Sequence, residues 1–90
     1  MNGKRKSKET VSIKDKQQRV YKRIGERIKA IRQQKGHTSY EEFAWENDID
    51  RSQFGRYERG ADMRISSLVK VLAALDVSIQ EFFSEGFDDI

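Results

Sequence analysis

The sequence predicts a compact all-α fold of five helices, preceded by a basic N-terminal arm. Apolar residues recur at intervals of three and four in several segments, which is the spacing of one helix face. No segment alternates apolar and polar residues with the period of two that is typical of a half-buried strand. Residues that favour helix ends separate the periodic segments. The chain of 90 residues is long enough for one small domain with a modest core.

The first helix is predicted from about Lys16 to Gln34. It is marked by four apolar residues at steps of four, four and three: Val20, Ile24, Ile28 and Ile31. Residues 1–15 are polar, charged and without apolar periodicity, and we expect a basic, flexible arm that is disordered or partly helical. Gly36 ends the helix, and Gly25 within it favours close packing against another helix.

The second and third helices are predicted at about residues 39–46 and 50–59, joined by a tight turn. Thr38 or Ser39 is suited to cap the second helix, and Asp50 the third, while Gly60 ends the third. The spacing of the apolar side chains places the following residues inside: Phe43, Ala44, Ile49, Phe54 and Tyr57.

The outward side of the third helix is predicted to carry basic and polar groups. With Phe54 and Tyr57 facing inward, a rotation of 100° per residue determines what lies opposite. These outward residues are Ser52, Gly55, Arg56 and Arg59, with Arg51 and Gln53 on the flanks. Arginine can form paired hydrogen bonds with guanine, and glutamine with adenine, so this surface has the chemistry that reads DNA bases.

Two further helices complete the predicted domain, which ends near Ser84 and is followed by an acidic tail, residues 85–90. One face of the fourth helix is predicted from Ile65, Leu68, Val69, Leu72 and Leu75. Ser78 is suited to cap a short last helix. Its aromatic residues belong to the core or share in a self-association surface: Phe82, Phe83 and the following Phe87.

Composition excludes several classes of function. There is no cysteine and a single histidine, His37, so no disulfide, thiolate zinc site or histidine metal cluster is expected. Without paired catalytic groups or a phosphate-binding glycine loop, we expect neither an enzyme nor a cofactor. No apolar run reaches the ~20 residues of a membrane span, and the N-terminus lacks a secretion signal. A cytoplasmic, nucleoid-associated protein is expected.

Charge is distributed unevenly along the chain. Residues 1–36 contain 13 Lys and Arg against 3 Asp and Glu, whereas residues 37–90 contain 5 against 12. A basic first part is attracted to a polyanion, and an acidic remainder requires that DNA be met by one oriented face. The alternative for the arm alone is that its lysines have no binding role and only keep the protein soluble.

Three strings together resemble the lambda-repressor-like helix-turn-helix domain of Cro/repressor (Xre) type transcriptional regulators. They are IGERIKAIRQQKG, SYEEFAWENDIDRSQFGRYERG and SSLVKVLAALDVSIQEFF. The resemblance covers about Lys22 to Ser84, within a domain predicted at residues 16–84. It implies a transcriptional regulator of the repressor class that inserts its third, recognition helix into the major groove.

The resemblance also assigns roles to individual residues. Base reading falls on Arg51, Ser52, Gln53 and Arg56. Phosphate contacts fall on Ser39 and Tyr40. Apart from the resemblance, Arg59 on the outward side of the third helix and Lys4 and Arg5 of the basic arm are expected to contact phosphates without reading sequence. A structural ion pair is implied between Arg32 and Glu58.

Some positions depart from the family pattern. Tyr40 replaces a common glutamine, Asn47 an apolar residue and Asp48 a glycine, although Asn and Asp tolerate a left-handed backbone. Trp45 is a candidate for the missing apolar cover. Gly55 removes a side chain from the outward side of the recognition helix and would allow close approach.

The leading hypothesis is a sequence-specific, DNA-binding transcriptional regulator. Members of the family usually bind a palindromic operator of double-stranded DNA as two-fold dimers, and we expect a homodimer through the C-terminal helix. Two alternatives stay open at this point. The chain is an antitoxin that also blocks a protein toxin, or it is a protein-interaction module that has lost DNA binding.

Overall fold

Five α-helices joined by short turns make up the fold. The computed structural model describes the backbone of residues 3–90 and the side chains of residues 12–90. The helices are α1 (Gly3–Gln34), α2 (Tyr40–Glu46), α3 (Arg51–Glu58), α4 (Ile65–Leu75) and α5 (Ile79–Phe82). Residues 3–90 contain no strand. The predicted all-α class and the number of helices are confirmed.

The first helix begins earlier than the sequence pattern predicts. It starts at Gly3 instead of near Lys16, and thus includes most of the segment that we expected to be an arm. The segment after Gly3 contains neither glycine nor proline and is rich in lysine, which favours helix even where no apolar face exists. Apolar periodicity detects the buried part of a helix, but it gives no signal for a polar extension of that helix.

The core lies where α1 and α2 pack against α3, and α4 packs against α1. It consists of Ile28, Ile31, Phe43, Ala44, Phe54, Tyr57, Leu68, Val71, Leu72, Leu75 and Phe82. The predicted inward residues of α2 and α3 are therefore confirmed. Ile49, in the turn between these helices, is partly buried against the same cluster.

Gly25 allows the backbones of α1 and α3 to meet. A Cβ atom at this position would lie 2.5 Å from the carbonyl oxygen of Tyr57 and 2.7 Å from that of Glu58. Real Cβ atoms do not come this close to other atoms, so no side chain fits here. The close packing predicted for Gly25 is confirmed, and it determines the distance between α1 and α3.

Polar residues cap three of the helices as predicted. Backbone N–H groups donate to the Ser39 hydroxyl at the start of α2 (3.2 Å) and to the Asp50 carboxylate at the start of α3 (2.9 Å). The Ser78 hydroxyl accepts in the same way at α5 (3.0 Å). Gly60 follows α3 with φ of +98°, a left-handed conformation that glycine adopts without strain.

The predicted face of α4 is partly wrong. Ile65 and Val69 are 73% and 49% exposed, whereas Val71, which we did not assign, is only 1% exposed. The buried residues are Leu68, Val71, Leu72 and Leu75. This set also has the spacing of one helix face, so the sequence alone allows two apolar faces that overlap.

The acidic end of the chain packs against α1. The Arg23 guanidinium forms two hydrogen bonds of 2.6 Å with the Asp89 carboxylate and a third with the carbonyl of Gly86 (3.0 Å). Its hydrogen bonds and charge lower the pKa of Asp89, and the carboxylate in turn raises the pKa of Arg23. Arg27 donates to the carbonyl of Phe82 (2.8 Å). Residues 85–90 are thereby tied to the domain.

Candidate nucleic-acid interface

The turn between α2 and α3 is formed by local chemistry. Asp48 has φ of +61°, so it adopts the left-handed conformation for which glycine is more common. The N–H of Ile49 donates to the carbonyl of Ala44 (2.8 Å), which closes the turn. The side chain of Asn47 donates to the carbonyl of Phe43 (2.9 Å), so this polar residue is satisfied at a position where the family pattern is apolar.

The outward surface of α3 presents three of the four predicted base-reading residues in full. Arg51, Ser52 and Arg56 are exposed. Gln53 is half-buried, because its amide nitrogen donates to the hydroxyl of Tyr57 (3.1 Å). The amide oxygen of Gln53 accepts a hydrogen bond from Arg56, so these two side chains form one unit.

Gly55 does not lie on this open surface, which corrects the sequence-based expectation. It is buried, and a Cβ atom built on it would be 3.0 Å from Cε1 of Tyr40 and 3.2 Å from Nη1 of Arg59. The helical rotation places Gly55 outward with respect to the core, but the Tyr40 ring reaches it from α2. The side that was expected to allow close approach of DNA is covered by these two side chains.

The predicted phosphate contacts lie near the start of α2 and the end of α3. Ser39 and Arg59 are exposed, and Tyr40 is half-buried. The Ser39 hydroxyl accepts the capping hydrogen bond of α2. The side chains of Lys4 and Arg5 lie outside the described residues.

The predicted pair of Arg32 and Glu58 is present and buried. Nε of Arg32 is 2.7 Å from Oε2 of Glu58, and Nη2 is 3.1 Å from Oε1. Only 3% of the Arg32 side chain and 8% of that of Glu58 are exposed. The guanidinium also donates to the carbonyl of His37, whose ring lies 5.0 Å from that of Phe43. One arginine of α1 therefore connects the last turn of α3 with the segment before α2.

Two residues that the sequence did not mark as site residues lie next to the predicted phosphate contacts. Lys29 and Thr38 line a shallow depression of about 360 Å³ together with Tyr40, Gly55 and Arg59. The available signal for Lys29 was its position three residues before Arg32, on the same side of α1. Thr38 was considered only as a helix cap, a role that Ser39 takes.

Trp45 does not supply apolar cover to the core. It lies on α2 and is 76% exposed, so the expected core packing is wrong, and a dimer contact, the other role expected for Trp45, stays a prediction. Asn47 does not need such cover, because its own side chain is hydrogen-bonded to the backbone of α2.

The described part of the chain has neither a metal-binding cluster nor a membrane-spanning helix. Its His, Asp and Glu side chains form no group of three or more that could hold a metal ion. None of its helices combines the length and apolar character needed to cross a membrane.

The fold and this surface define a small all-α helix-turn-helix protein, in which α2 and α3 are the two helices of the motif. The chain is similar to control protein C.MunI of Mycoplasma sp, with 33% identity over 64 residues, 70% of this chain and 86% of that protein. It therefore belongs to the family of this control protein. No protein-family model and no solved structure matches the chain.

Proposed function

We propose that this chain is a sequence-specific, DNA-binding transcriptional regulator, and that it inserts α3 into the major groove of duplex DNA. One observation carries the proposal: α3 is fixed from behind by the core and exposes Arg51, Ser52 and Arg56 on its other side. Side chains in the first turns of such a helix reach base edges. Similarity to a control protein supports a regulatory role, exercised on DNA in the cytoplasm at the nucleoid.

In this proposal, base reading is performed by Arg51, Ser52, Gln53 and Arg56. The hydrogen bond from Arg56 to Gln53 holds the guanidinium against α3 and leaves its other N–H groups for a base. Guanine, which offers two acceptors in the major groove, is the expected partner of each arginine. Because Gln53 is occupied by Tyr57 and Arg56, its contribution is to orient Arg56 more than to grip a base itself.

The orientation of α3 on DNA is set by groups at its edges. Ser39 and Arg59 are proposed to contact phosphates, together with Lys4 and Arg5. The ring of Tyr40, for which the sequence predicts a phosphate contact, lies against Gly55. The buried pair of Arg32 and Glu58 holds the last turn of α3 against α1, so it fixes the angle at which the helix enters the groove. Phosphate contacts of this kind position a protein without reading sequence.

We further propose a two-fold homodimer through α5, bound to a palindromic operator. Ile79 and Phe83 lie four residues apart, and are 61% and 40% exposed. Such a pair forms one apolar strip on the helix surface, which a second copy would cover. Half-sites about one helical turn apart would then match the two recognition helices.

Selection from a pool of random duplexes tests the proposal, because one result reports binding, consensus and half-site symmetry. The expected result is a palindromic consensus. On that duplex, Arg56→Ala should weaken binding by about 1–3 kcal/mol and relax the preference at one base pair. Arg64→Ala is the matched control, because Arg64 is also exposed but lies before α4, outside this surface.

Other outcomes would decide against parts of the proposal. A library that returns no consensus would refute sequence-specific binding and favour a protein-interaction module. Equal losses on every sequence for Arg56→Ala and Lys4→Ala would remove the base-reading role from Arg56. A consensus without symmetry would contradict the proposed dimer on DNA.

A further inference from the structure

Gly55, Tyr40 and Arg59 form a contact that spans two helices of the motif. Gly55 lies in the middle of α3 and has no side chain, so the ring of Tyr40 from α2 fits against the helix backbone. The Cβ position of Gly55 is 3.0 Å from Cε1 and 3.5 Å from Cζ of this ring, and 3.2 Å from Nη1 of Arg59. Cε1 of the Tyr40 ring and Nη1 of Arg59 therefore both lie close to the same point on α3.

Arg59 has its charge free in this position. It is exposed, and it has no ion pair or side-chain hydrogen bond to any residue among 12–90. The neighbouring carboxylate of Glu58 is engaged by both Nε and Nη2 of Arg32, so it does not neutralise Arg59. Lys29 lines the same depression and adds a second positive charge.

We infer that Tyr40 and Gly55 act together to position the guanidinium of Arg59 for a phosphate of the DNA backbone. This inference rests on the proposed function and deepens it. It gives Tyr40 a different role from a hydroxyl contact, because the ring of Tyr40 is the part that touches Gly55 and flanks Arg59. Tyr40 is then a positioning residue, and Arg59 is the residue that binds.

The physical gain is preorganisation. A long arginine side chain loses rotamer freedom when it binds a phosphate, and packing it against a surface beforehand reduces that loss. A residue with a Cβ at position 55 would push against both side chains and change where the charge lies.

The test measures binding to a duplex of about 30 base pairs that carries two half-sites, at several salt concentrations. Arg59→Ala should lower the slope of log affinity against log salt by about 0.9, the value for one phosphate. Tyr40→Phe keeps the ring, and should bind like the wild type with the same slope. Tyr40→Ala and Gly55→Ala should each lower this slope by less than Arg59→Ala does. Adding Arg59→Ala to either variant should then lower the slope only a little further.

Two results would overturn the inference. A loss for Tyr40→Phe as large as that for Tyr40→Ala would show that the hydroxyl itself makes the contact. An undiminished effect of Arg59→Ala in the Tyr40→Ala background would show that Arg59 acts independently of Tyr40. Urea midpoints of all variants are measured in parallel. Gly55→Ala presses only on side chains that can move, so it should leave the fold intact.

A readout without DNA separates this inference from the proposed function. The Tyr40 ring should displace the NMR shift of the Arg59 Hε, and Tyr40→Ala should remove that displacement while Tyr40→Phe keeps it. If the wild type fails to bind any duplex but the shift behaves in this way, the proposed function fails and the positioning stands. If the shift does not respond to Tyr40→Ala, the positioning fails whatever the result with DNA.

Discussion

The contact between α1 and α3 at Gly25 gives a prediction whose magnitude follows from the structure. A methyl group at this position would lie 2.5 Å and 2.7 Å from two carbonyl oxygens of α3, and 2.9 Å from a carbonyl carbon. These are backbone atoms, and no rotamer change can move them away. Gly25→Ala must therefore push the two helices apart, or distort the last turn of α3.

Two terms of opposite sign determine the size of the effect. Replacing glycine by alanine inside a helix stabilises it by about 1 kcal/mol. Overpacking a tight contact costs about 1–3 kcal/mol, and occasionally more. Because the obstructing atoms are backbone, we expect a cost of about 3 kcal/mol and a net loss of about 2 kcal/mol, a large part of the stability of a small domain.

Urea denaturation measures this difference, and the same helix provides a matched control. Ala30 is an exposed residue of α1, so Ala30→Gly reports helix propensity alone, with an expected loss of about 1 kcal/mol. The reasoning is refuted if Gly25→Ala stabilises the protein by the amount that Ala30→Gly destabilises it. That result would mean that the backbones of α1 and α3 do not touch at Gly25.

Three further predictions follow from contacts elsewhere. Glu58→Ala leaves the buried charge of Arg32 without its partner and should lower the free energy of unfolding by about 3–5 kcal/mol, measured in urea; a loss below about 1 kcal/mol would show that water reaches the pair. The pKa of Asp89 is lowered by Arg23, so the contribution of this pair is present at neutral pH and is lost as the pH falls through that lowered value. The protection factors of the C-terminal amides, which remove the intrinsic pH dependence of exchange, should fall there in the wild type, whereas in Asp89→Asn they should already be low and show no such step. Phe83→Glu should convert the proposed dimer into a 10.6 kDa species in sedimentation, and an unchanged dimer would exclude α5 from the interface.

Features that depend on local chemistry could be predicted from the sequence. A cap requires only a side-chain oxygen three residues before the N–H group from which it accepts a hydrogen bond. Asp50 can therefore be predicted as a cap without knowledge of the tertiary structure. The same holds for the left-handed Gly60 and Asp48. The pair of Arg32 and Glu58 spans 26 positions, and it was accessible only through resemblance to a family.

Features that depend on contacts between helices could not be read from periodicity. Gly55 is on the side of α3 away from the core, and only the reach of Tyr40 from α2 makes it buried. Two overlapping apolar faces of α4 fit the sequence equally well, and packing chose the one that contains Val71. Ile65 belongs to the face of α4 that the sequence pattern predicts, yet its side chain is exposed. It is therefore an apolar surface residue that no other residue among 12–90 covers.

The charge asymmetry of the sequence overstates the charge that DNA would meet. Several cations of α1 are engaged within the fold: Arg23 with Asp89, Arg27 with the carbonyl of Phe82, and Arg32 with Glu58. Lys35 likewise donates to the carbonyl of Asp76 (3.0 Å). These groups hold the second part of the chain against the first, and in two of them, Arg23 with Asp89 and Arg32 with Glu58, a carboxylate offsets the charge of the cation. Attraction to DNA then depends on cations without such partners, and the arginines of α3 point the attraction to one side of the molecule.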